Sequence, residues 1–228
     1  MVTITNPKDL AKYIDHTILK AAATLDEVEK LCKEAAEYKF ASVCINPYYV
    51  PFAKNFLKGT GVKVCTVIGF PLGATTKESK AAEAIKAVAD GADEVDMVLN
   101  VGAMKSKNYK YVEDDIRMVV ESLPKGICVK VILETCYLTK DEIRLASEIS
   151  MKAGANFVKT STGFGTGGAT VEDVKIMKSV VGRKLEVKAS GAVRDFETAK
   201  AMIEAGATRL GTSSGITIVA GTKSTSAY

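Results

Sequence analysis

The chain has a single histidine, no tryptophan and no glutamine in 228 residues. Metal-dependent hydrolases and aldolases hold a catalytic zinc with two or three imidazoles, and His16 alone cannot supply them. A Ser-His-Asp triad would also have to be built on His16, for which a hydrogen-bonded place at a strand end is the simpler expectation. The cysteines, Cys32, Cys44, Cys65, Cys128 and Cys136, are odd in number and form no C-x-x-C pair. That spacing argues against a disulfide framework and against a thiolate zinc site, so no metal is expected. A run of 18 apolar residues is absent, and residues 1–20 lack the basic start and apolar stretch of a secretory leader. A soluble, cytosolic protein without a membrane partner is expected. Charge of one sign is not in excess either: 31 basic against 27 acidic residues leave +4, and the two signs alternate. Neither a basic stripe nor an aromatic-interleaved basic patch is present, so nucleic acid is not an expected partner.

What is present is a rhythm. Short β-rich runs at 13–19, 41–46, 63–70, 94–100, 128–134, 157–161, 186–190 and 209–212 alternate with longer stretches whose apolar residues recur three and four apart. Those helical stretches are 25–38, 77–90, 109–123, 140–153, 171–180 and 196–205. Gly91-Ala92, Gly154-Ala155 and Gly206-Ala207 each close a helix just before a strand. Near-continuous apolar strands separated by helices indicate a parallel sheet covered on both faces. Eight such units predict an α/β protein with one (β/α)8 (TIM) barrel over residues 1–228, an open doubly wound sheet being the alternative. Asn6-Pro7-Lys8-Asp9 predicts an extra capped helical turn ahead of the first strand, and residues 221–228 read as a small, polar, mobile tail.

Several of these strands carry charge where a dry core is expected. Asp96 lies in Val95-Asp96-Met97-Val98, Lys130 and Glu134 in one run, Lys159 in Phe157-Val158-Lys159-Thr160, and Lys188 in Val187-Lys188-Ala189-Ser190. Buried charges cost several kcal/mol unless paired. Strand parity places Asp96 with Asn100, Lys130 with Glu134, Lys159 with Ser161 and Lys188 with Ser190, all facing the barrel interior. Charged groups near the C-terminal ends of barrel strands are more often catalytic than structural. A purely structural network, with Asp96 and Glu134 neutralising the lysines, is the competing explanation.

Two strand lysines on consecutive units point to amine chemistry. Only about 0.04% of a free lysine is neutral at pH 7. Two ammonium groups about 5 Å apart repel by roughly 3 kcal/mol at an effective dielectric of 20, which favours neutralising one of them. A neutral amine can attack an aldehyde or ketone and form an iminium. The second lysine tunes it, and a carboxylate such as Asp96 completes a proton relay. On these grounds Lys159 and Lys188 are equivalent candidates for the nucleophile.

Glycine-rich segments follow the last three strands: Thr162-Gly163-Phe164-Gly165-Thr166-Gly167-Gly168, Ser190-Gly191-Ala192 and Gly211-Thr212-Ser213-Ser214-Gly215. In barrels such loops, with a short helix after the last strand, cradle phosphate through backbone N–H groups, and 213–219 is expected to be that helix. The literal G-x-G-x-x-G of residues 163–168 sits on the sixth unit and is followed by a strand offering Lys188, so no dinucleotide cofactor is expected.

Taken in order, Asp15-His16-Thr17, Glu94-Val95-Asp96-Met97-Val98, Phe157-Val158-Lys159-Thr160-Ser161-Thr162-Gly163, Val187-Lys188-Ala189-Ser190-Gly191 and Gly211-Thr212-Ser213-Ser214 span most of the chain. In these segments the chain resembles the deoxyribose-phosphate aldolases, cofactor-free class I aldolases with a (β/α)8 barrel. The resemblance implies reversible cleavage of 2-deoxyribose 5-phosphate to glyceraldehyde 3-phosphate and acetaldehyde, in deoxynucleoside breakdown. It implies that Lys159 forms the Schiff base, Lys188 tunes it and Asp96 relays protons with Lys188. Phosphate contacts fall at Gly163, Gly191, Ser213 and Ser214, with Thr162 and Ala192 beside them. A terminal tyrosine, here Tyr228, reaches the site in some members, and homodimers or homotetramers are usual. Two departures stand out: Phe164 stands where some members have a lysine near the phosphate, and Ala192 replaces a second glycine after Gly191. A different Schiff-base aldolase or transaldolase, or a non-catalytic phosphosugar-binding barrel, are the alternatives.

Overall fold

Helix starts in this chain are written into the sequence as side-chain caps, and the folded chain uses them. The computed structural model describes residues 4–222. Thr24 and Thr139 each form a reciprocal capping box, with Glu27 and Glu142, at the heads of α1 (Leu25–Tyr38) and α6 (Lys140–Lys152). Thr76, Asn108, Thr170 and Asp195 cap α3 (Lys77–Ala89), α5 (Tyr109–Ser122), α7 (Val171–Val181) and α8 (Phe196–Glu204) through one side-chain oxygen each. The glycines of the three Gly-Ala pairs adopt positive φ one residue past the C-caps Asp90, Ala153 and Ala205, as expected.

Between these helices run β1 (Ile14–Ile18), β2 (Ser42–Ile45), β3 (Lys63–Ile68), β4 (Glu94–Val98), β5 (Cys128–Ile132), β6 (Phe157–Lys159), β7 (Glu186–Ser190) and β8 (Arg209–Thr212). Each pairs in parallel with the next, and β1 closes on β8 through Ile14↔Leu210 and Asp15↔Gly211. The eight-stranded barrel is thus formed, with helices outside it and strand C-termini at one mouth. The strands are shorter than the apolar runs suggested: β3, β4, β5 and β6 end at Ile68, Val98, Ile132 and Lys159.

Three elements differ from expectation. The N-terminal turn, Pro7–Tyr13, is a 3-10 helix capped by the Asn6 side chain, and its end is closed by the Ile14 N–H bonding to the Ala11 carbonyl. α2 (Val50–Phe56) and α4 (Val101–Lys105) were not predicted; at seven and five residues they are too short to show a helical period, and Pro51 reads as a turn until it is seen at a helix start. The short helix after β8, α9, runs over Gly215–Ala220 and packs on the N-terminal turn, where a Cβ on Gly221 would stand 3.0 Å from Pro7 Cγ.

The main apolar core fills the layer between strands and helices, with Val43, Val64, Val95, Val129, Val158 and Val187 facing outward to it. The barrel interior is different. Beside a small cluster of Leu19, Cys44, Cys65 and Val67, it holds Asp15, Glu94, Asp96, Lys130, Lys159 and Lys188, all buried. No helix among the described residues is long and apolar enough to cross a membrane.

Candidate active site

Alternation along each strand delivers these charges to one axis. Asp96 stands opposite Lys130 in the β4–β5 register, and Lys159 opposite Lys188 in the β6–β7 register. Asp96 is the hub. Its Oδ1 accepts from Lys130 Nζ at 2.8 Å and from the Cys65 thiol at 3.2 Å; its Oδ2 accepts from Lys159 Nζ at 2.9 Å and Lys188 Nζ at 2.7 Å. Asp15 lies 2.5 Å from Lys188 Nζ, and also accepts from Arg209 Nη1 at 2.7 Å and the Ser42 hydroxyl at 2.6 Å. Glu94 lies 2.5 Å from Lys130 Nζ and is bridged by Arg209 at 3.0 and 3.3 Å.

Burial opposes every charge here, and mutual attraction overrides it. Desolvation pushes the Asp96 carboxyl up, yet Lys130, Lys159 and Lys188 hold it well below the usual carboxylate range. Asp15 and Glu94 are lowered against burial in the same way, Asp15 chiefly by Lys188 and Glu94 chiefly by Lys130. Burial pulls the Lys188 ammonium down, but Asp15 and Asp96 raise it above the ordinary lysine range. Repulsion between the strand lysines therefore does not neutralise Lys188. Two carboxylates that the lysine–lysine argument leaves out keep it charged.

Asp15, Glu94 and Arg209 are the cluster members that reasoning from strand charges missed. Glu94 shares the parity of Asp96, and Asp15 is an acid inside the apolar strand Ile14-Asp15-His16-Thr17-Ile18, so both carried a signal. Arg209 opens β8 and resembles any solvated strand start. Two expected members are absent from the axis. Asn100 lies beyond the end of β4, where it caps α4 by accepting the Ala103 N–H at 2.9 Å. Glu134 lies beyond the end of β5 in the left-handed region, φ 55°, and turns its carboxylate to Thr162 instead of Lys130. Parity stops predicting direction once the strand ends. His16 meets its expectation, as a buried β1 residue with Nε2 2.7 Å from the Glu34 carboxylate.

The cluster opens upward into a cavity of about 570 Å³ at the barrel mouth. Lys159 lines it; Lys130 and Lys188 do not. The three glycine-rich loops meet on its wall, bringing together Thr162, Gly163, Gly191, Ala192, Ser213 and Ser214. Their approach is close: a Cβ on Gly168 would fall 2.5 Å from the Gly191 carbonyl carbon, and the Ala169 N–H bonds to both the Ser190 and Gly191 carbonyls at 3.0 Å. The Thr212 hydroxyl ties the last two loops by donating to the Val193 carbonyl at 2.6 Å while accepting the Ser214 N–H at 2.9 Å. Ala192 takes φ 64°, so it adopts the left-handed turn that a glycine would hold without strain. Both donors of Thr162 point away from the cavity to Glu134, which makes it a support of the wall and not a donor into it. Phe164 is half exposed on the rim, edge-on to Phe70 at 5.3 Å. Tyr228 and the rest of 223–228 lie outside the described residues.

Among the described residues, ligand atoms of Cys44, Cys65 and Asp96 come within 4.8 Å of one another, the spacing of a metal site. The surroundings do not suit a cation. Both Asp96 oxygens already serve three ammonium groups, and Lys130 Nζ lies 3.3 Å from Cys65 Sγ. Electrostatically this is a carboxylate–ammonium network.

Fold and site define a (β/α)8 barrel enzyme whose mouth exposes one buried lysine. Comparison with known proteins narrows the class. Residues 10–221 match the family described as DeoC/LacD family aldolase. The chain is 63% identical over 221 residues to the deoxyribose-phosphate aldolase of Exiguobacterium sp. strain AT1b, covering 96% of this chain and 100% of that one. It is 61% identical over 216 residues to the deoxyribose-phosphate aldolase of Carboxydothermus hydrogenoformans, covering 93% and 94%. The tetrameric deoxyribose phosphate aldolase of Aeropyrum pernix superposes with a TM-score of 0.87 at 35% identity, over 94% of this chain and 91% of that one. The chain belongs to the DeoC/LacD aldolase family.

Proposed function

We propose that Lys159 is the covalent nucleophile with which this aldolase cleaves 2-deoxyribose 5-phosphate to glyceraldehyde 3-phosphate and acetaldehyde. The observation that carries this choice is positional: of the three barrel lysines, Lys159 alone lines the cavity, and its ion pairing is to one carboxylate, Asp96. Lys188 is wedged between Asp15 and Asp96, and Lys130 between Glu94 and Asp96. A charge count supports the same reading. Inside the barrel four basic groups (Lys130, Lys159, Lys188, Arg209) meet three acidic ones (Asp15, Glu94, Asp96), so one buried positive charge is uncompensated when all are ionised. Lys159 has one carboxylate partner where Lys130, Lys188 and Arg209 each have two, so it is the least compensated of the four.

The amine of Lys159 adds to the aldehyde carbon of the open-chain sugar, and loss of water from the carbinolamine leaves an iminium. Removal of the proton from the C3 hydroxyl drives its electrons into a carbonyl. The C2–C3 bond breaks toward the iminium, which becomes an enamine, and the phosphorylated triose leaves. A proton returns to C2, and hydrolysis frees acetaldehyde and the amine. In this reading Asp96, which accepts from both Lys159 and Lys188, relays protons between them, with Lys188 as the charged partner; the two hydrogen bonds support it. The iminium is the electron sink, so the chemistry calls on no further cofactor.

Gly163, Gly191, Ala192, Ser213 and Ser214 form the phosphate end of the cavity in this reading, supported by the meeting of three loops and by the exposed Ser213 side chain. Five free cysteines suit a reducing cytosol, and association of copies, as in the tetrameric relative, is testable by light scattering. The decisive experiment is reduction with borohydride in the presence of acetaldehyde, followed by peptide mapping. A two-carbon group on Lys159 supports the assignment; a label elsewhere, or none, overturns it.

A further inference from the structure

Glu134 is a buried carboxylate that the reaction above does not use. No ion pair to it occurs among the described residues, and it does not line the cavity. Its backbone takes φ 55°, a strained conformation for a residue with a side chain, and this turns the carboxylate from the barrel axis toward the loop after β6. There Oε1 accepts the Thr162 N–H at 3.0 Å and Oε2 accepts the Thr162 hydroxyl. The Thr162 oxygen in turn accepts the Phe164 N–H at 2.9 Å. The loop then folds back over the carboxylate: a Cβ on Gly165 would stand 3.2 Å from Glu134 Cδ. A relay of hydrogen bonds thus runs from one buried carboxylate through Thr162 to Phe164 and brackets Gly163. All three of those loop residues line the cavity, three to five positions after Lys159.

We propose that Glu134 is a positioning residue of the reaction: it clamps residues 162–164 so that the phosphorylated end of the sugar is held at a fixed distance from Lys159. The inference rests on the reading of the site given above. A carboxylate suits the task because it can accept from an N–H and an O–H at once, one on each oxygen. Its negative charge also favours the Thr162 hydroxyl as donor, which frees that oxygen's lone pairs for the Phe164 N–H. A glutamine offers one acceptor oxygen and sets an amide donor against the hydroxyl.

The test compares 2-deoxyribose 5-phosphate with unphosphorylated 2-deoxyribose in the retro-aldol direction, for the unaltered protein, Glu134→Ala, Glu134→Gln and Thr162→Val. Glu134→Ala and Thr162→Val are expected to lower kcat/KM on the phosphorylated sugar at least about tenfold more than on the plain sugar, with KM carrying the loss. Glu134→Gln, which keeps an oxygen for the Thr162 N–H, restores part of that preference. A merely structural Glu134 would lower both substrates by one factor, and that result, or an unchanged preference, overturns the clamp. If Glu134→Ala does not fold by circular dichroism, Thr162→Val decides alone, since it is isosteric and removes just the hydroxyl link. Failure of acetaldehyde and borohydride to label Lys159 in the unaltered protein overturns the underlying reading instead, so the two failures are told apart.

Discussion

Lys159 and Lys188 face each other across the β6–β7 register and place both Nζ atoms on the same oxygen, Oδ2 of Asp96, at 2.9 and 2.7 Å. Their environments then part. Lys188 has a second carboxylate, Asp15, at 2.5 Å and no face on the cavity, whereas Lys159 opens onto it. Replacing Lys188 by Met is therefore expected to lower retro-aldol turnover by about 10²–10⁴-fold, the usual size of a lost acid–base partner, while leaving the acetaldehyde label on Lys159. Mass spectrometry of the reduced adduct checks it. A label that survives in Lys159→Met and disappears in Lys188→Met reverses the two roles.

The barrel cluster also sets how stability responds to pH. The Asp96 carboxyl is held well below its ordinary value, so its contribution is present above an unfolded carboxylate pKa of about 3.9 and is lost as pH falls through the lower folded value. Lys188 is raised, so its contribution is complete below about 10.4 and is lost as pH climbs through the higher folded value. Urea midpoints are expected to stay flat with respect to these groups between the two limits and to fall beyond each. In Asp96→Asn the acid limb below about pH 4 becomes shallower by one proton. The same substitution costs about 3–5 kcal/mol at neutral pH, because it leaves buried ammonium groups under-compensated. An acid limb of unchanged slope would show that Asp96 is not charged in the folded protein.

A second buried ion pair lies outside the barrel. Lys80 on α3 and Asp115 on α5 are fully buried, with Nζ 2.5 Å from Asp115 Oδ2 and 2.9 Å from the Val98 carbonyl. Burial pushes Lys80 down and Asp115 up, each toward its neutral form, so desolvation outweighs attraction in this pair. Lys80→Met alone is expected to cost about 3–5 kcal/mol by stranding the carboxylate, and adding Asp115→Leu recovers most of that loss. Denaturant titration of the two single variants and the double variant gives the coupling. Additive losses would show that the two side chains act independently.

Ala192 provides a test of backbone strain in the cavity wall. A side chain at φ 64° costs roughly 1–2 kcal/mol against the favoured regions, whereas glycine is unstrained there but loses more chain entropy on folding. Ala192→Gly is expected to leave stability unchanged or raise it by up to about 1 kcal/mol. Thermal unfolding in the absence of ligand reads the change. A clear loss of stability would mean that the Ala192 methyl packs productively.

Much of this molecule is legible in its residues because the causes are local. Caps at Thr24, Thr139 and Thr170 sit next to the helices they start, and apolar runs mark all eight strands. Parity put Asp96, Lys130, Lys159 and Lys188 on one face for the same reason, since alternation is a property of a single strand. That reasoning failed at Asn100 and Glu134, which lie two residues past the ends of their strands, where the chain turns and the period of two no longer applies.

The single residues of the strands thus determined the fold class and the presence of buried amines and acids on its axis. Only the closed barrel decided their partners. Asp15 meets Lys188, and Arg209 meets Asp15 and Glu94, because β1 closes on β8 and brings together residues 194 positions apart in the chain. Closure also separates two lysines that look alike in the sequence, since it buries Lys188 between carboxylates and leaves Lys159 at the cavity floor. A charge in a strand is a local fact; the charge that answers it across the barrel depends on how the sheet closes.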